Sequence, residues 1–469
     1  MDEINDLLRI FSGIAELTTD EINKIKRPTP VYDGLSTTLI VTDECNLRCT
    51  YCYCNKAPAV MSWSVAQDFI DFQFEKAKDY HKIPRDKQSQ IDHRIVWDFV
   101  GGEPLLEAPL IFKCMDYIED STQKLPDSHP WRRKDWPCSC IDRSHYEGGY
   151  RFMIGTNGLL LNDTSIQREI LKRKSNLYIA VTLDGDQEMH DLCRVDTEGK
   201  GSFDRVIRAW HWLRNNIPGA TTGTKSTIAH ENVGHIARLV KFFYKLQPTD
   251  FFLSQNCVFE NVWHRGDHFT LFNQLCDVAD FLLEGRKYET FMVRWFDVSM
   301  FTKTINEKNW CGAAEYMSAC DHTGTIYPCL RFKHTDQPFY IGDVKTGIDL
   351  SRRDILTTGN PILTQRQTDV TGLPCKECPI SSLCSECQSG AYNVFGCMDI
   401  KSPFLCPMHR AAVFANIYFF GKLMKFTSEA DFTFKSYLIQ LLDEYTKDNY
   451  FGFDEQGNPV QWKSRIPPI

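Results

Sequence analysis

The sequence has no run of about 18 apolar residues, the length that a membrane-spanning helix needs. Its N-terminus, Met1-Asp2-Glu3, lacks a basic start followed by an apolar stretch, so a secretory signal is not expected. The chain also has fewer positive than negative side chains: its 53 Lys and Arg and 61 Asp and Glu give a net charge of -8. We therefore expect a cytoplasmic protein with no membrane and no nucleic acid as its main partner.

Cysteine is the residue that this chain has in excess. There are 19 cysteines, an odd number, among 469 residues. A reducing cytoplasm disfavours a disulfide framework, so clustered cysteines indicate metal binding or redox chemistry. Two groups stand out by their spacing, one near each end of the chain. The scattered thiols are interpreted as packed or incidental: Cys54, Cys114, Cys138, Cys140, Cys193, Cys257 and Cys276.

Short apolar runs alternate with amphipathic segments from about residue 36 to 290. The runs are rich in β-branched and aromatic residues and are bounded by turn formers, which is typical of strands. The predicted strands cover residues 37–42, 94–100, 151–155, 177–183, 224–229 and 250–255. Helical periods lie between them, such as Val206, Trp210 and Leu213, and Ser64 with Gln67 fits a capping box.

Repeated β–α units imply parallel strands joined by right-handed crossovers. About six units predict an α/β fold, a partial (β/α)6 TIM-type barrel whose chemistry lies at the carboxyl ends of the strands. The predicted division is an N-terminal segment 1–35, the barrel 36–300 with an inserted loop 122–150, a cysteine-rich extension 301–410 and a helical segment 411–469.

The first cysteine group, Cys45, Cys49 and Cys52, follows the first predicted strand directly. Three thiolates in a tight loop can hold three irons of a [4Fe–4S] cluster and leave the fourth iron open for a cofactor. The alternatives are three buried thiols, or a zinc site that also uses Cys54.

The spacing Cys-x3-Cys-x-aromatic-Cys, with Tyr51 as the aromatic residue, resembles the radical SAM superfamily. The resemblance implies that Cys45, Cys49 and Cys52 are catalytic and that their cluster cleaves S-adenosyl-L-methionine (AdoMet) to a 5′-deoxyadenosyl radical. The turn of residues 101–104, Gly-Gly-Glu-Pro, is similar to the family's motif for the methionine amino group. The implied cofactor-binding residues are Tyr51, Gly101, Gly102, Glu103, Asn157, Asp184 and Arg194.

The second cysteine group contains the spacing Cys375-x2-Cys378-x5-Cys384-x2-Cys387. It resembles the SPASM extension of radical SAM enzymes, in which the last of these spacings is x3 rather than x2. This resemblance implies two auxiliary [4Fe–4S] clusters. One uses Cys375, Cys378, Cys384 and Cys406, and the other uses Cys311, Cys329 and Cys387, with Cys320 or a substrate thiolate as fourth ligand. The alternative is one zinc site of four thiolates, in a zinc-binding adaptor without enzymatic activity.

Enzymes with this layout modify peptides or proteins. The sulfatase-maturing branch carries an Asp directly after the Gly-x4-Cys motif, and here Leu330 and Arg331 follow Cys329, which counts against sulfatase maturation. Residues 97–107 and 309–312 resemble maturases of cysteine-containing peptides, which implies thioether formation. Carbon–carbon crosslinking and epimerisation remain alternatives.

The implied partners are a ribosomal precursor peptide, with a leader and a cysteine-containing core, and an electron donor such as flavodoxin or ferredoxin. Within the inserted loop, Trp131, Arg132 and Arg133 suggest a contact with an acidic peptide. A solvated loop is the alternative interpretation of this segment.

Overall fold

The computed structural model describes residues 35–78, 95–132, 149–217, 223–249, 251–260, 262–296, 312–357, 375, 378, 387–398, 400–423, 431–446, 454 and 456. Several sequence-based predictions lie outside these residues. They concern the segment 1–34, Arg133, Cys138, Cys140, Cys311 and Cys384.

A curved sheet of parallel strands forms the centre of the described chain. Its strands are β1 Leu35–Thr42, β2 Ile95–Gly101, β3 Tyr150–Thr156, β4 Leu177–Val181, β5 Gly223–Ile228, β6 Phe251–Cys257, β7 Phe291–Val293 and β8 Met317–Cys320. The order is β8-β1-β2-β3-β4, and a parallel bridge between Thr182 and Lys225 continues it into β5-β6-β7. The predicted partial barrel is confirmed, and β7 and β8 extend it at both edges.

Helices cover the outer face of this sheet. They are α1 Trp63–Lys78, α2 Ala108–Gln123, α3 Thr164–Lys172, α4 Gln187–Cys193, α5 Phe203–Asn216, α6 Ile236–Leu246 and α7 Asp267–Leu283. The helical period predicted in α5 is confirmed, because Val206, Trp210 and Leu213 are all buried. The predicted capping box is wrong, since Ser62 rather than Ser64 accepts the hydrogen bond from the Val65 amide, at 3.3 Å.

The cysteine-rich extension begins inside the barrel sheet. Strand β8 pairs in parallel with β1, and the antiparallel strands β9 Thr325–Tyr327, β10 Gly342–Asp343 and β11 Gly347–Ile348 continue from it. The helices of this part are α8 Leu330–Lys333, α9 Leu350–Thr357 and α10 Gln388–Phe395. The extension is thus continuous with the barrel at the strand level.

Two C-terminal helices, α11 Leu405–Leu423 and α12 Asp431–Thr446, pack on the barrel's helical layer. Helix α11 is buried along almost its whole length rather than amphipathic, because α7 and α12 both contact it. The Tyr418 hydroxyl donates to Asp280 of α7 at 3.0 Å, and Phe419 packs on Phe296. No helix among the described residues is long and apolar enough to cross a bilayer.

The inserted loop places Trp131 in the core. Its side chain is 1% exposed and packs edge-on against Trp97 and Phe74. Arg132 pairs with Asp127 at 2.7 Å. Trp131 is therefore not available to contact a peptide, because burying the indole ring removes a large apolar surface from water. The loop interpretation itself stays a prediction, since residues 133–148 lie outside the described residues and residues 126–128 are exposed.

Candidate active site

The cysteine loop leaves β1 at an irregularity in the β1–β2 pairing, between Ile40 and Thr42. Two backbone hydrogen bonds then hold it to the end of β2. The Gly102 amide donates to the Thr42 carbonyl at 2.9 Å, and the Glu103 amide donates to the Glu44 carbonyl at 2.7 Å. A Cβ atom on Gly102 would lie 2.2 Å from the Glu44 oxygen, so only glycine permits this approach.

A second backbone attachment fixes the opposite side of the loop. The Arg48 amide donates to the Val195 carbonyl at 2.7 Å, and the Thr50 amide donates to the Cys193 carbonyl at 3.0 Å. Within the loop, the Cys52 amide donates to the Cys49 carbonyl at 3.1 Å. The backbone that carries Cys45, Cys49 and Cys52 is therefore anchored to the ends of β2 and α4.

Glu103 is fully buried, and its carboxylate ties the end of β2 to the end of β3. Its Oε1 accepts hydrogen bonds from the Thr156 hydroxyl at 2.7 Å and the Leu105 amide at 3.1 Å, and its Oε2 accepts from the Asn157 amide at 2.8 Å. Burial raises the pKa of the Glu103 carboxyl, and these hydrogen bonds act against that shift. A carboxylate has about four acceptor positions, so one position remains after these three bonds.

Asn157 connects Glu103 to the cysteine loop. Its Nδ2 donates to Asn46 Oδ1 at 2.7 Å and lies 3.8 Å from Cys45 Sγ, while its Oδ1 accepts from the Leu159 amide at 3.0 Å. The strand end of β3 thus contacts the first cysteine directly.

Tyr51, Asp184 and Arg194 form one buried chain of contacts. The Tyr51 hydroxyl donates to Asp184 Oδ2 and accepts from Arg194 Nη1 at 2.8 Å, and Arg194 Nη1 lies 3.9 Å from the same carboxylate. Although burial lowers the pKa of Arg194, the nearby Tyr51, Cys49 and Asp184 raise it overall. The structure therefore brings together three predicted site residues, from the cysteine loop and from just after β4 and α4.

His190 supports this chain of contacts as a neutral ring. Burial, and then the neighbouring Arg194 charge, lower the pKa of His190 to about 2. Its Nδ1 accepts from the Asp184 amide at 3.2 Å, and its Nε2 lies 2.9 Å from the Ser202 hydroxyl, which donates to the Arg194 carbonyl at 2.8 Å. The proton of the neutral ring is thus assigned to Nε2.

The three thiols fit a cationic iron–sulfur cluster by their chemistry. Burial raises the pKa of the Cys45 and Cys49 thiols. The neighbouring thiols raise these pKa values further: Cys49 raises the pKa of Cys45, and Cys52 raises the pKa of Cys49. The described residues contain no group of three His, Cys, Asp or Glu side chains already arranged to hold a metal ion. The fit of the cluster therefore rests on three thiols in one anchored loop. Beside that loop, the buried Arg194 Nε has no hydrogen-bond partner in the described structure and can donate to a bound ligand.

The described cysteines of the extension include one close pair. Cys329, just before α8, has its pKa raised to about 11 by burial and then by the nearby Cys387. The resemblance to the SPASM extension predicts that these two thiols belong to the same auxiliary cluster. Cys320 is fully buried in β8, and its electrostatic neighbours are Asp321, Asp343 and Asp68.

Three further cysteines of the extension lie at backbone turns or helix starts. The Cys378 amide donates to the Cys375 carbonyl at 3.0 Å, which is a turn that suits a Cys-x2-Cys pair. Cys406 lies at the start of α11, where its amide donates to the Ser402 carbonyl at 3.1 Å.

Tyr53 interacts with residues of the extension. It follows Cys52 in the chain, and the Arg331 guanidinium stacks 4.1 Å from the centre of its ring. Arg331 also pairs with Glu260. Burial raises the pKa of Tyr53, and Cys54 and Cys329 are among the groups that raise it further. Tyr53, the residue after Cys52, is therefore within electrostatic reach of Cys329 of the second group.

The barrel lumen contains charged side chains that the sequence analysis did not select. Asp98 of β2 and Lys225 of β5 act on each other's pKa, and Arg294, just after β7, acts on Lys225 as well. The sequence signal for such a residue is a charged side chain within a strand of apolar or small residues, as with Asp98 in the run of residues 95–101. A charge is costly there unless the strand face meets solvent or a ligand.

A comparison with family models matches residues 39–243 to the radical SAM superfamily. These residues run from β1 to α6 and include the cysteine loop, Glu103, Asn157, Asp184 and Arg194. Residues 39–243 are therefore a radical SAM domain.

Several curated proteins are related to the chain at low identity. It is 26% identical to an uncharacterized protein of Methanocaldococcus jannaschii over 215 aligned residues. The alignment covers 45% of this chain and 59% of that protein. It is 24% identical over 386 residues to a cysteine-type anaerobic sulfatase-maturating enzyme of Clostridium novyi, covering 77% and 87% of the two chains. A serine-type anaerobic sulfatase-maturating enzyme of Bacteroides thetaiotaomicron is 24% identical over 314 residues, covering 61% and 67%.

Among solved structures, native anSMEcpe with bound AdoMet and the Cp18Cys peptide is similar in fold. The TM-score is 0.58 at 16% identity, and the alignment covers 84% of this chain and 98% of that chain. The likeness extends beyond the radical SAM domain and supports a partial barrel with a C-terminal extension.

Proposed function

We propose, from the premise that residues 39–243 form a radical SAM domain, that this chain is an enzyme that modifies a ribosomally made peptide. The modification is a thioether, which joins a cysteine sulfur to a carbon atom of another residue. The supporting observation is that Tyr53, the residue after Cys52, stacks on Arg331 and lies within electrostatic reach of Cys329. Such a thioether needs a radical at one end of the substrate site and an electron acceptor at the other.

The cofactors supply the redox chemistry. When bound, a [4Fe–4S] cluster would supply the electron that cleaves AdoMet to methionine and a 5′-deoxyadenosyl radical. This radical would take a hydrogen atom from the peptide, and an auxiliary cluster would accept the electron released when the carbon–sulfur bond forms. The hydrogen atom leaves as part of 5′-deoxyadenosine and the thiol proton leaves to solvent. A flavodoxin or ferredoxin is the proposed source of the first electron.

The chain's own residues bind and orient AdoMet in this proposal. Glu103 keeps one acceptor position for the methionine ammonium group, beside Asn157 at the end of β3. Arg194 Nε, buried and without a partner among the described residues, is the donor for the methionine carboxylate. Asp184 and Tyr51 hold the guanidinium of Arg194 in place.

The auxiliary ligands are also part of the proposal. Cys329 and Cys387 contribute to one cluster with Cys311, completed by Cys320 or by a substrate thiolate. Cys375, Cys378, Cys384 and Cys406 contribute to the other.

Sulfatase maturation is a second candidate, favoured by the names of the related enzymes of Clostridium and Bacteroides. The local structure after Cys329 argues against it. Leu330 packs against the core, and Arg331 is paired with Glu260, so no carboxylate occupies the two positions after this cysteine. Carbon–carbon crosslinking and epimerisation share the same hydrogen abstraction and are distinguished from a thioether by the product.

Two measurements test the proposal. The anaerobically reconstituted protein is expected to be brown, to contain iron and sulfide, and to convert AdoMet to 5′-deoxyadenosine under reducing conditions. A variant with Cys45, Cys49 and Cys52 replaced by Ala is expected to lose this turnover. Unchanged turnover, or colourless protein that holds zinc, contradicts the assignment.

The product then identifies the modification. A cysteine-containing precursor peptide encoded beside the enzyme's gene is co-expressed with it and analysed by mass spectrometry. Loss of two hydrogens, together with one fewer alkylatable thiol, is expected for a thioether. An unchanged mass indicates epimerisation, and loss of two hydrogens with all thiols still alkylatable indicates a carbon–carbon crosslink.

A further inference from the structure

Asp98 of β2 is an acidic residue on the inner face of the barrel. Its neighbours Trp97 and Phe99 are fully buried on the opposite, helix-covered face, and side chains alternate along a strand. Asp98 therefore points into the lumen, where it pairs in register with Thr38 of β1 and Met153 of β3. Both of these neighbours are uncharged. The carboxyl group thus lies inside the barrel, three residues before the end of β2.

The Asp98 carboxyl makes neither a hydrogen bond nor an ion pair with the residues that the structure describes. Its Oδ1 is buried, although the residue as a whole keeps some accessible surface. A buried polar atom without a partner is destabilising, so a carboxyl group in this state calls for a functional explanation. A substrate group that brings a proton into the lumen is a partner that this carboxyl group can take.

Lys225 of β5 is the charged side chain that acts on Asp98. Burial raises the pKa of the Asp98 carboxyl to about 7, and the positive charge of Lys225 acts against this shift. A group with such a pKa is partly ionised near neutral pH, so it can accept a proton and release it again. Asp98 therefore has the acidity that a general base needs at this pH.

The surroundings of Lys225 relate this side of the lumen to both cysteine-rich parts of the chain. Burial lowers the pKa of Lys225, and Arg331 and Arg294 lower it further. Asp98 and Cys54 raise it. Cys54 belongs to the cysteine loop and Arg331 belongs to the extension. The side chain that tunes Asp98 is therefore within electrostatic reach of both parts.

Thioether formation releases a proton. The reaction breaks a carbon–hydrogen bond of one substrate residue and the sulfur–hydrogen bond of a substrate cysteine. The hydrogen atom from carbon ends in 5′-deoxyadenosine, and one electron passes to an auxiliary cluster, so the thiol proton remains to be accepted. A free thiol has a pKa of about 8.5 and is mostly protonated at neutral pH, so a base is needed to form the thiolate.

We propose that Asp98 is the catalytic base that takes the proton of the substrate cysteine thiol in the barrel lumen. This inference rests on the proposed function, because it requires a cysteine thiol as substrate. The sulfur–hydrogen bond breaks, its electron pair stays on sulfur, and the proton moves to a carboxylate oxygen of Asp98. The thiolate then forms the carbon–sulfur bond, and Asp98 returns the proton to solvent after turnover.

The base is tested by measuring two products in one reaction. Reconstituted native and Asp98→Asn proteins are incubated anaerobically with AdoMet, dithionite and the cysteine-containing precursor peptide encoded beside the gene. Thioether formation near pH 7 is expected to fall about 100-fold in Asp98→Asn, the usual effect of losing a general base. AdoMet cleavage is expected to fall by less, so that more 5′-deoxyadenosine forms per thioether. An equal ratio of the two products in both proteins overturns the proposal.

Stability and a matched control separate this role from a structural one. Asp98→Asn removes a carboxyl group whose burial is unfavourable, so its denaturation midpoint at pH 8 is expected to equal or exceed that of the native protein. Asp120→Asn removes the same charge from an exposed position of α2 and is expected to keep the native product ratio. An Asp98→Asn protein that loses thioether formation together with stability and AdoMet affinity contradicts the proposal.

The pH dependence of thioether formation is the second test. Because only the ionised carboxylate accepts a proton, the native rate is expected to fall as the pH decreases through about 7. Lys225→Met removes the charge that lowers the pKa of Asp98, so in this variant the rate is expected to fall at a higher pH. The same midpoint in both proteins, or a fall centred near pH 7 that persists in Asp98→Asn, overturns the proposal.

The native protein distinguishes a failure of this inference from a failure of the proposed function. Native protein that forms 5′-deoxyadenosine but no thioether contradicts the proposed function, and the need for a thiol base with it. Native protein that forms the thioether, with Asp98→Asn equally effective, contradicts only the assignment of the base. The thiol proton then passes to solvent without Asp98.

Discussion

Among single side chains, Glu103 has the most demanding environment, because its carboxylate is fully buried and accepts three hydrogen bonds. Glu103→Gln replaces one acceptor oxygen by an amide donor that faces another donor. We expect a loss of about 1–3 kcal/mol in the free energy of unfolding, the usual cost of an unsatisfied buried polar group. AdoMet affinity is expected to fall in parallel.

Chemical denaturation and AdoMet titration measure these two effects. Glu107→Gln is the matched control, since Glu107 lies four positions later, is only half-buried and makes no capping hydrogen bond. A Glu103→Gln protein that matches this control in both measurements shows that the carboxylate charge is dispensable.

Asp98 predicts a dependence of stability on pH. Burial raises its pKa from 3.8 to about 7, so the folded chain binds the proton more tightly than the unfolded chain. Stability from this group therefore falls as pH rises from about 4 to about 7 and stays low above that range. Asp98→Asn is expected to stabilise the protein by about 1–3 kcal/mol at pH 8 and to have little effect near pH 4 to 5.

Denaturation of Asp98→Asn at several pH values tests this expectation. Asp120→Asn, at an exposed position of α2, is the control and is expected to show no such trend. A difference between Asp98→Asn and the native protein that stays constant with pH contradicts the raised pKa.

At the scale of secondary-structure elements, the contact between the β2 end and the cysteine loop requires a residue without a side chain. Gly102→Ala places a Cβ atom 2.2 Å from the Glu44 carbonyl oxygen, so the loop has to move. We expect lower iron content after reconstitution and a loss of more than about 2 kcal/mol, because a backbone atom cannot rotate away as a side chain does.

Gly155→Ala is the control for this change, since a Cβ atom at Gly155 has no neighbour within 4 Å. Its iron content, measured with an iron chelator under denaturing conditions, is expected to equal that of the native protein. Equal iron content in both variants shows that the loop tolerates displacement.

The strands and the residues at their ends were predictable because both signals are local. Buried parallel strands are short apolar runs, and the motifs that end them contain Gly, Asn or Asp at fixed positions. The predicted strand bounds agree with the structure to within two residues, and Asn157 and Asp184 lie beside the cysteine loop as expected.

Other features depend on which elements meet in space. Strand β8 has four residues, too few for a periodic pattern, and it forms because β1 offers a free edge. Trp131 follows a proline-rich stretch that resembles a surface loop, yet Trp97 and Phe74 form an apolar site for it. The mutual influence of Lys225 and Asp98 depends on the curvature of the whole sheet, which no short window of sequence encodes.

At the scale of the whole molecule, a buried ion pair joins the extension to the barrel. Lys333 Nζ of α8 lies 2.5 Å from the carboxylate of Asp43, at the start of the cysteine loop, and both side chains are less than a tenth exposed. Lys333→Met leaves the Asp43 charge buried without its partner. We expect a loss of about 3–5 kcal/mol in stability.

A double-mutant cycle with Asp43→Asn tests this expectation. Each single change is expected to be costly, and the double variant is expected to recover part of the loss, because no uncompensated charge remains. Midpoints of urea denaturation provide the ranking of the four proteins. Additive losses contradict a direct coupling between these two side chains.

The position of β1 between β2 and β8 has a consequence for synthesis. The strand that pairs with the outer edge of β1 emerges from the ribosome about 280 residues later, which corresponds to roughly 14–56 s of elongation. During that interval the nascent chain presents an unpaired, apolar edge to other strands. Production at low temperature or with added chaperones is therefore expected to favour soluble protein, and a chain stopped before β8 is expected to aggregate.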